Sequence, residues 1–548
     1  MRAVLNDNEI YVFGCNNILL IKSIPGRRWN RYKKCWILPL SIESIEKIKD
    51  LPGAFDPDIL TEYYKLIERK RKTEAERFGS NEPIEPMPIR IKPYQHQVRA
   101  YNMALMNQGF GFLMEMGCGK SLTAVAVAGR RFERGEVNRL LIIAPTSVVP
   151  VWPKEFEAAT IKCEVKVLAG PVSKRIDMLK AFQGSGLQVA VINYESTWRM
   201  LGELLDWGPE MVIADESQRI KNAGAAQSKA VHALGRLAHY RLILTGTPVQ
   251  NSPLDTFSQW KFLDESIFGT SFTAFRARYA DMQYIEMGQR AFHKVVGFKN
   301  LDELIRKAHS IAYRVTKQEA LDLPDTVDVN RWCELEPKAK RIYEEVRQES
   351  CTELQRGDVT VTNVLTKLLR LQQITGGFIN TDDGVEEQVS SAKMKVLEEI
   401  IEDVVVDAGK KIVIFARFIP EIQAIWRIAD RLKVESAVIY GAVKDRGEQV
   451  RRFQEDVNCK VFIAQIQTAG LGITLTAADT AVFFSVDFNY ANYSQARARI
   501  HRLGQKNACT YIHIMAQHTI DAKVMDALCS KQDMARAVVD NWRAYFSK

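Results

Sequence analysis

The sequence predicts an α/β protein: two doubly wound parallel-sheet domains with helical insertions, preceded by a small α+β module. Three observations carry this. From about residue 95 onward, short and nearly continuous apolar runs alternate with helical patterns. Parallel strands buried on both faces require such runs. They fall into two series: LLIIA (140–144), VAVI (189–192), MVIAD (211–215) and YRLILT (240–245), then KIVIF (411–415), SAVIY (436–440), KVFIA (460–464), AVFFSV (481–486) and TYIHIM (510–515). The stretch from about 252 to 400, with the charged middle RIYEEVRQESCTELQR (341–356), separates the series and reads as a helical insertion.

The N-terminal elements are short. IYVF (10–13) reads as a strand, NNILLIKSI (16–24) as a helix stopped by Pro25-Gly26, and CWILPL (35–40) as a second strand. SIESIEKIKDL (41–51) follows as a helix, with Ser41 as N-cap and Ile42, Ile45 and Ile48 on one face. Residues 58–78 form a charged helical stretch containing ERKRK (68–72), read as a solvated face. NEPIEPMPIRIKP (81–93) is Pro-rich and extended, hence a linker. The expected domains are 1–80, the linker 81–93, a first α/β domain 94–325 and a second 326–548.

Composition excludes several classes. The chain has 548 residues, 46% apolar and 26% charged, which excludes disorder for its bulk. No apolar run approaches the ~18 residues of a membrane span. The longest candidate, LLIIAPTSVVPVW (140–152), is broken by Pro145 and Pro150, and the N-terminus lacks a signal-peptide core. The nine cysteines include no pair at CxxC spacing and no zinc-ligand cluster. Reduced thiols in the cytoplasm, or in the nucleus of a eukaryotic host, are the expectation. Seventy-five basic against 66 acidic residues, net +9, permit a polyanionic partner without proving one.

Three segments carry chemistry. In MEMGCGKS (114–121) a strand end meets a helix start, and Gly117 and Gly119 let the backbone point its N–H groups at phosphate oxygens. Lys120 would pair with the β and γ phosphates of ATP, and the Ser121 hydroxyl would ligate Mg²⁺. The strict pattern fails at its first glycine, because position 114 is Met. A chance Gly-rich turn is the alternative. In VIADESQ (212–218) a buried strand ends in Asp215-Glu216, where Asp215 can hold Mg²⁺ and Glu216 can polarise the attacking water. The same DESQ could be a helix-start signal. In ARARIHRLGQ (496–505), Arg499 and Arg502 share a helix face and could act as arginine fingers, or be a solvated basic surface.

With these motifs in order, the chain resembles the Swi/Snf-like DNA translocases of helicase superfamily 2 over about 90–535. KPYQ (92–95) is similar to the family's adenine-reading entry motif, with Gln95 as reader. MEMGCGKS matches its degenerate phosphate loop, with Ser121 for Thr. APTSVVPVWPKEF (144–156) keeps its Pro-x-Ser and Trp-x-x-Glu-Phe spacing. DESQRIKN (215–222) matches its acidic motif, with Ser217 and Gln218 as departures, and LTGTPVQN (244–251) its coupling motif. FLDESIFGTSFTAFRARY (262–279) resembles its helical protrusion. TAGLGITLTAADT (468–480) is closer to the annealing-helicase subgroup, QARARIHRLGQ (495–505) matches the finger motif, and HTIDAKV (518–524) resembles the terminal brace.

The resemblance implies two RecA-like domains closing on ATP and Mg²⁺. The first would supply Gln95, Gly117, Gly119, Lys120, Ser121, Asp215 and Glu216; the second would supply Arg499 and Arg502. It implies that Gln218, Thr245, Thr247 and Gln495 couple the nucleotide state to DNA. It places duplex or forked DNA along Ser147, Trp152 and Thr474, with little sequence preference. In the N-terminal module, KSIPGRRWNRYKK (22–34) carries six basic residues with Trp29 and Tyr32 interleaved. Arg27 and Arg28 would neutralise phosphates and Trp29 would stack on unpaired bases; a Trp core with a basic rim is the alternative. The expected enzyme is a monomeric DNA-dependent ATPase, possessing no membrane partner. The alternatives are a strand-separating DNA or RNA helicase and a non-enzymatic nucleic-acid scaffold.

Overall fold

The computed structural model describes residues 1–6, 9–79, 81–287, 290–356, 361–380, 386–443, 445–471 and 473–539. Gly472 of the expected TAGLGITLTAADT motif and residues 540–548 of the expected second domain lie outside them. Two compact units result. The first contains Met1–Gln283, His293–Ala320 and the chain from Met534; the second contains Tyr284–Phe292 and Leu321–Asp533.

The chain opens with β1 (Arg2–Asn6), β2 (Glu9–Phe13), β3 (Arg28–Asn30), β4 (Cys35–Pro39) and β5 (Ala54–Phe55). They form one sheet in the order β3-β4-β2-β1-β5. Alternation buries Ile10 and Val12 of β2 against Ile21, Leu38, Ile45 and Ile48. Ser41 caps the helix Ile42–Ile48 by accepting from the Ser44 N–H at 3.2 Å.

The helix Pro57–Phe78 is not only a solvated face. Its Ile59, Tyr63, Thr73 and Arg77 are buried. Arg77, 1% exposed, donates from Nη1 to the Ala312 carbonyl at 3.0 Å and from Nη2 to that of His309. Lys307 pairs with Glu43 at 2.7 Å. Residues 81–93 form no helix or named strand, and they are fastened down rather than free. Asn102 holds Ile84 N–H at 2.9 Å and the Glu82 carbonyl at 3.0 Å, and the Tyr101 hydroxyl donates to the Pro86 carbonyl at 3.0 Å. Glu85 pairs with Arg130 and Arg134. The module is thus part of the first unit, through polar contacts that composition does not display.

The first unit's large sheet comprises β6 (Gly109–Met114), β7 (Arg139–Ala144), β8 (Cys163–Val167), β9 (Leu187–Asn193), β10 (Met211–Asp215) and β11 (Tyr240–Leu244). After the paired strands β12 (Ala280–Met287) and β13 (Arg290–Phe298), it is completed by β14 (Ala312–Val315). Its order is β14-β6-β11-β10-β7-β9-β8, and every pairing is parallel. The second unit has β15 (Thr326–Cys333), a small antiparallel pair β16 (Phe378–Asn380) and β17 (Glu386–Gln388), then β18 (Ile412–Ala416), β19 (Glu435–Ile439), β20 (Cys459–Gln465), β21 (Thr480–Phe483) and β22 (Cys509–Ala516). Its main sheet runs β15-β22-β21-β18-β20-β19, again all parallel. These are two doubly wound sheets, RecA-like in architecture.

The stretch 252–400 differs from the expected helical insertion. It also holds β14 and β15, edge strands of the two sheets. β15 reads TVDVNRWC and is exposed over most of its length, so it lacks the continuous apolar signature of an interior strand. Among the described residues no helix is long and apolar enough to cross a membrane.

Candidate ATP and nucleic-acid sites

The phosphate loop lies between β6 and the helix Lys120–Glu133. Gly117 and Gly119 have φ of 91° and 77°, the left-handed region that glycine enters without strain. A Cβ on Gly119 would also sit 1.9 Å from the Gln97 amide nitrogen, so the loop is glycine-shaped twice over. Lys120 Nζ donates to the Met114 carbonyl at 2.9 Å and the Glu115 carbonyl at 3.3 Å. The loop therefore curls around its own cation, with the amino terminus of a 14-residue helix behind it. That cradle fits a phosphate chain.

Gln95 opens the helix Gln95–Met106 and is exposed. It lines a cavity of about 330 Å³ together with Tyr94, His96, Arg99, Tyr313 and Val315. The cavity wall is tied to the phosphate loop: His96 Nε2 lies 2.9 Å from the Cys118 carbonyl, and Gln97 Nε2 donates to the Gly119 carbonyl at 3.3 Å. Gln95 and the phosphate-loop residues are thus on neighbouring elements.

Asp215 ends β10 and is buried. Burial, then the adjacent Glu216 charge, hold its carboxyl above the ordinary carboxylate range, while Lys120 and the Trp152 hydrogen bond oppose this. The Asp215 carboxylate and the Ser121 hydroxyl offer oxygen donors, the ligand type a hard cation takes, so the residues fit Mg²⁺. Ser121, in the first turn of its helix, is half-buried. Asp215 Oδ1 accepts from the Glu216 N–H at 2.9 Å, Oδ2 from the Trp152 indole at 3.1 Å, and the backbone carbonyl from the Tyr194 hydroxyl at 2.8 Å.

Glu216 sits at φ 50°, an uncommon position for a non-glycine residue and one associated with functional sites. Its Oε2 accepts from Gln218 Nε2 at 2.6 Å. Gln218 Oε1 accepts from the Thr245 hydroxyl at 2.7 Å, and Thr245 Oγ1 accepts from the Thr247 N–H at 3.0 Å. The structure thereby joins Glu216, Gln218, Thr245 and Thr247 in one relay.

Two expectations are corrected. Trp152 is 1% exposed with its N–H bonded to Asp215, so it is no surface for DNA; Ser147, on the same segment, is half-exposed. Arg499 is likewise 1% exposed, with Nη1 donating to the Ile473 carbonyl at 3.3 Å. Its guanidinium is packed inside the second unit rather than presented as a finger. Arg502 is half-exposed and donates to Thr474 Oγ1 at 2.9 Å, which places Thr474 beside the finger motif. Gln495 is half-buried in the helix Tyr490–Arg497.

In the N-terminal module Trp29 is 48% exposed and meets the half-buried Trp36 edge-on at 5.1 Å. Tyr32 is fully exposed. Arg28 pairs with Glu9, and Arg27 donates to the Ile24 carbonyl at 2.9 Å. Both arginines therefore already make one intramolecular contact and keep further N–H donors.

Sequence reasoning missed the residues that brace the site. Arg314 of β14 donates to the Leu113 carbonyl at 3.1 Å, the Gly246 carbonyl at 3.2 Å and Glu115 Oε1 at 3.0 Å. It pins the phosphate loop to the coupling motif, and its strand carries no motif. Gln97 was findable, because it stands two residues after Gln95 at the start of the same helix.

Residues 94–376 match the SNF2-related domain, and residues 392–504 match the helicase conserved C-terminal domain. An uncharacterized ATP-dependent helicase of Mycoplasma pneumoniae is 28% identical over 451 residues, 81% of this chain and 42% of that protein. The DNA repair and recombination protein RAD54-like of Drosophila pseudoobscura pseudoobscura is 25% identical over 475 residues, 78% of this chain and 60% of that protein. The chain thus spans less than two thirds of the length of these relatives. The solved Sulfolobus solfataricus SWI2/SNF2 ATPase core in complex with dsDNA is 25% identical, with a TM-score of 0.40, covering 85% of this chain and 97% of that one. With an SNF2-related domain over half its length and a helicase C-terminal domain after it, the chain belongs to the SNF2-related family of helicase superfamily 2.

Proposed function

We propose that the chain is an ATP-driven motor that tracks along duplex or forked DNA and remodels or anneals strands as it does so. The observation that carries this is the relay from Glu216 through Gln218 to Thr245 and Thr247. A hydrolytic carboxylate wired by side chains to a second motif is what a motor needs to link γ-phosphate state to grip.

In this reading Lys120 exchanges its carbonyl partners for the β and γ phosphates, and the N–H groups around Gly117 and Gly119 receive the remaining oxygens. Gln95 reads adenine from the adjoining cavity. Ser121 and Asp215 would hold Mg²⁺, which when bound neutralises phosphate charge. Glu216 accepts a hydrogen bond from the attacking water and aligns it with the γ-phosphorus. Arg502 supplies positive charge to the phosphoryl oxygens in the transition state. Arg499, buried, shapes the segment that carries Arg502. Ser147 and Thr474 contact phosphates, and the Arg27, Arg28 and Trp29 surface adds structure preference.

ATPase rates on blunt duplex, single strand, fork, four-way junction and RNA test the proposal. The expected order places fork and duplex highest. Equal stimulation by RNA and duplex DNA, or none by either, would overturn it.

A further inference from the structure

Trp152 sits between a partly exposed segment that carries Ser147 and the buried carboxylate of Asp215. The segment leaves β7 at Ala144, exposes Thr146 and Pro150, half-exposes Ser147, and turns through Val149–Val151 into the short helix Trp152–Phe156. Its exposed end faces solvent. Its buried end places the indole N–H 3.1 Å from Asp215 Oδ2.

The other donors to Asp215 differ in kind. Oδ1 accepts from the N–H of the very next residue, Glu216, and that bond moves with β10 itself. Tyr194 acts on the main-chain carbonyl, not on the carboxylate. Among the hydrogen bonds of the described residues, Trp152 is the donor that reaches this carboxylate from a separate element. A hydrogen bond weakens steeply with misalignment. A small shift of the segment would therefore alter the carboxylate's orientation while leaving the sheet intact.

We propose that Trp152 is a positioning residue that transmits nucleic-acid occupancy of residues 145–150 to the orientation of the Asp215 carboxylate. The inference rests on the readings given above of Asp215 as the metal carboxylate and of Ser147 as a DNA contact. The competing account is that Trp152 is only core, packed on Phe156 at 6.4 Å.

Two substitutions in the full chain separate the accounts. Trp152→Phe keeps ring bulk and removes the donor. Trp152→His keeps a five-membered-ring N–H at about the same reach and removes bulk. Mn²⁺ affinity in the presence of ADP is read by electron paramagnetic resonance, DNA stimulation by the ratio of ATPase rates with and without duplex, and packing by thermal unfolding.

If the hydrogen bond matters, Trp152→Phe weakens Mn²⁺ binding about tenfold, the usual scale for losing a partner behind a metal ligand. It also lowers the stimulation ratio at least fivefold. Trp152→His unfolds at lower temperature yet stays closer to the parent on both readouts. The inference is overturned if Trp152→Phe matches the parent within a factor of 1.5, or if the losses follow bulk so that His is worse than Phe. Should either variant fail to fold, ¹⁹F spectra of the 5-fluorotryptophan-labelled parent still decide: a Trp resonance must move on adding duplex and again on adding Mn²⁺·ADP, and none doing both overturns it. A parent that hydrolyses no ATP would sink the motor reading instead, while the Mn²⁺ comparison would still test Trp152.

Discussion

Gln218 donates to Glu216 at 2.6 Å, so one of the two residues that depart from the family's acidic motif is bonded to the carboxylate assigned to hydrolysis. A neutral amide makes this contact at any pH and needs no protonation step. With its other face on Thr245, Gln218 is held at both ends.

Glu216→Gln therefore removes the water-orienting charge while leaving a side chain of the same shape. ATP binding persists, and turnover falls by roughly 10²-fold or more, the scale of general-base contributions. Filter binding and steady-state phosphate release measure the two separately. Turnover within twofold of the parent would reject the assignment.

Gln218→Ala breaks the relay without touching the phosphate loop. ATP affinity stays within a few-fold, whereas stimulation by duplex falls about tenfold, a loss of roughly 1.4 kcal/mol in coupling. Thr245→Val, which removes the donor to Gln218, follows the same pattern. If both variants retain full stimulation, the relay is only structural.

The two arginines of the finger motif part company. Arg502→Ala leaves ATP affinity and unit stability near the parent but removes most stimulated hydrolysis, up to ~10³–10⁵-fold where such fingers are measured. Arg499→Ala, by contrast, removes a buried side chain together with its hydrogen bond to the Ile473 carbonyl, which Arg502 also meets at 3.4 Å, and lowers stability by ~1–3 kcal/mol. Chemical denaturation of both variants, beside their ATPase rates, gives the comparison. Equal stability of the pair contradicts the buried position of Arg499.

Arg77 makes the N-terminal module part of the first unit. Arg77→Ala removes the guanidinium bonds to the carbonyls of His309 and Ala312 and lowers first-unit stability by ~1–3 kcal/mol. Deletion of residues 1–80 destabilises the first unit as well, rather than leaving an untouched motor. Trp29→Ala, at an exposed ring, preserves the melting temperature and weakens fork binding by ~1–3 kcal/mol relative to duplex. A deletion variant with the parent's unfolding midpoint would show that the anchor is dispensable.

Acid loosens the first unit through buried neutral histidines. Burial lowers His232 to about 4 and His309 to about 3. In the unfolded chain both titrate near ~6.5. Between those values the unfolded state binds more protons at these two rings, so their contribution to stability falls as pH drops from ~6.5 toward 4, by up to ~1.4 kcal/mol per pH unit per ring, and is flat above, while the raised Asp215 carboxyl contributes with the opposite sign. Urea midpoints across this range give the slope, and His232→Gln should remove one ring's share. An unchanged slope in that variant would exclude His232.

The sequence by itself determined the interior strands and the reacting side chains. β7, β9, β10 and β11 announce themselves as continuous apolar runs, because a strand covered on both faces has no polar side to show. Lys120, Asp215, Glu216, Thr245 and Thr247 sit at the ends of such strands, where local pattern locates them. Only the tertiary structure decided the rest. β14 and β15 are edge strands of mixed pattern, and their place depends on neighbours remote in sequence. The ordered strap at 81–93 looks like a linker until Asn102 and Glu85 hold it. Trp152 and Arg499 belong to segments whose spacing matches surface motifs, yet both side chains point inward. A residue's type and spacing state what it can donate or accept. Which partner it meets, and whether water is excluded there, is set by chain folded back from many residues away.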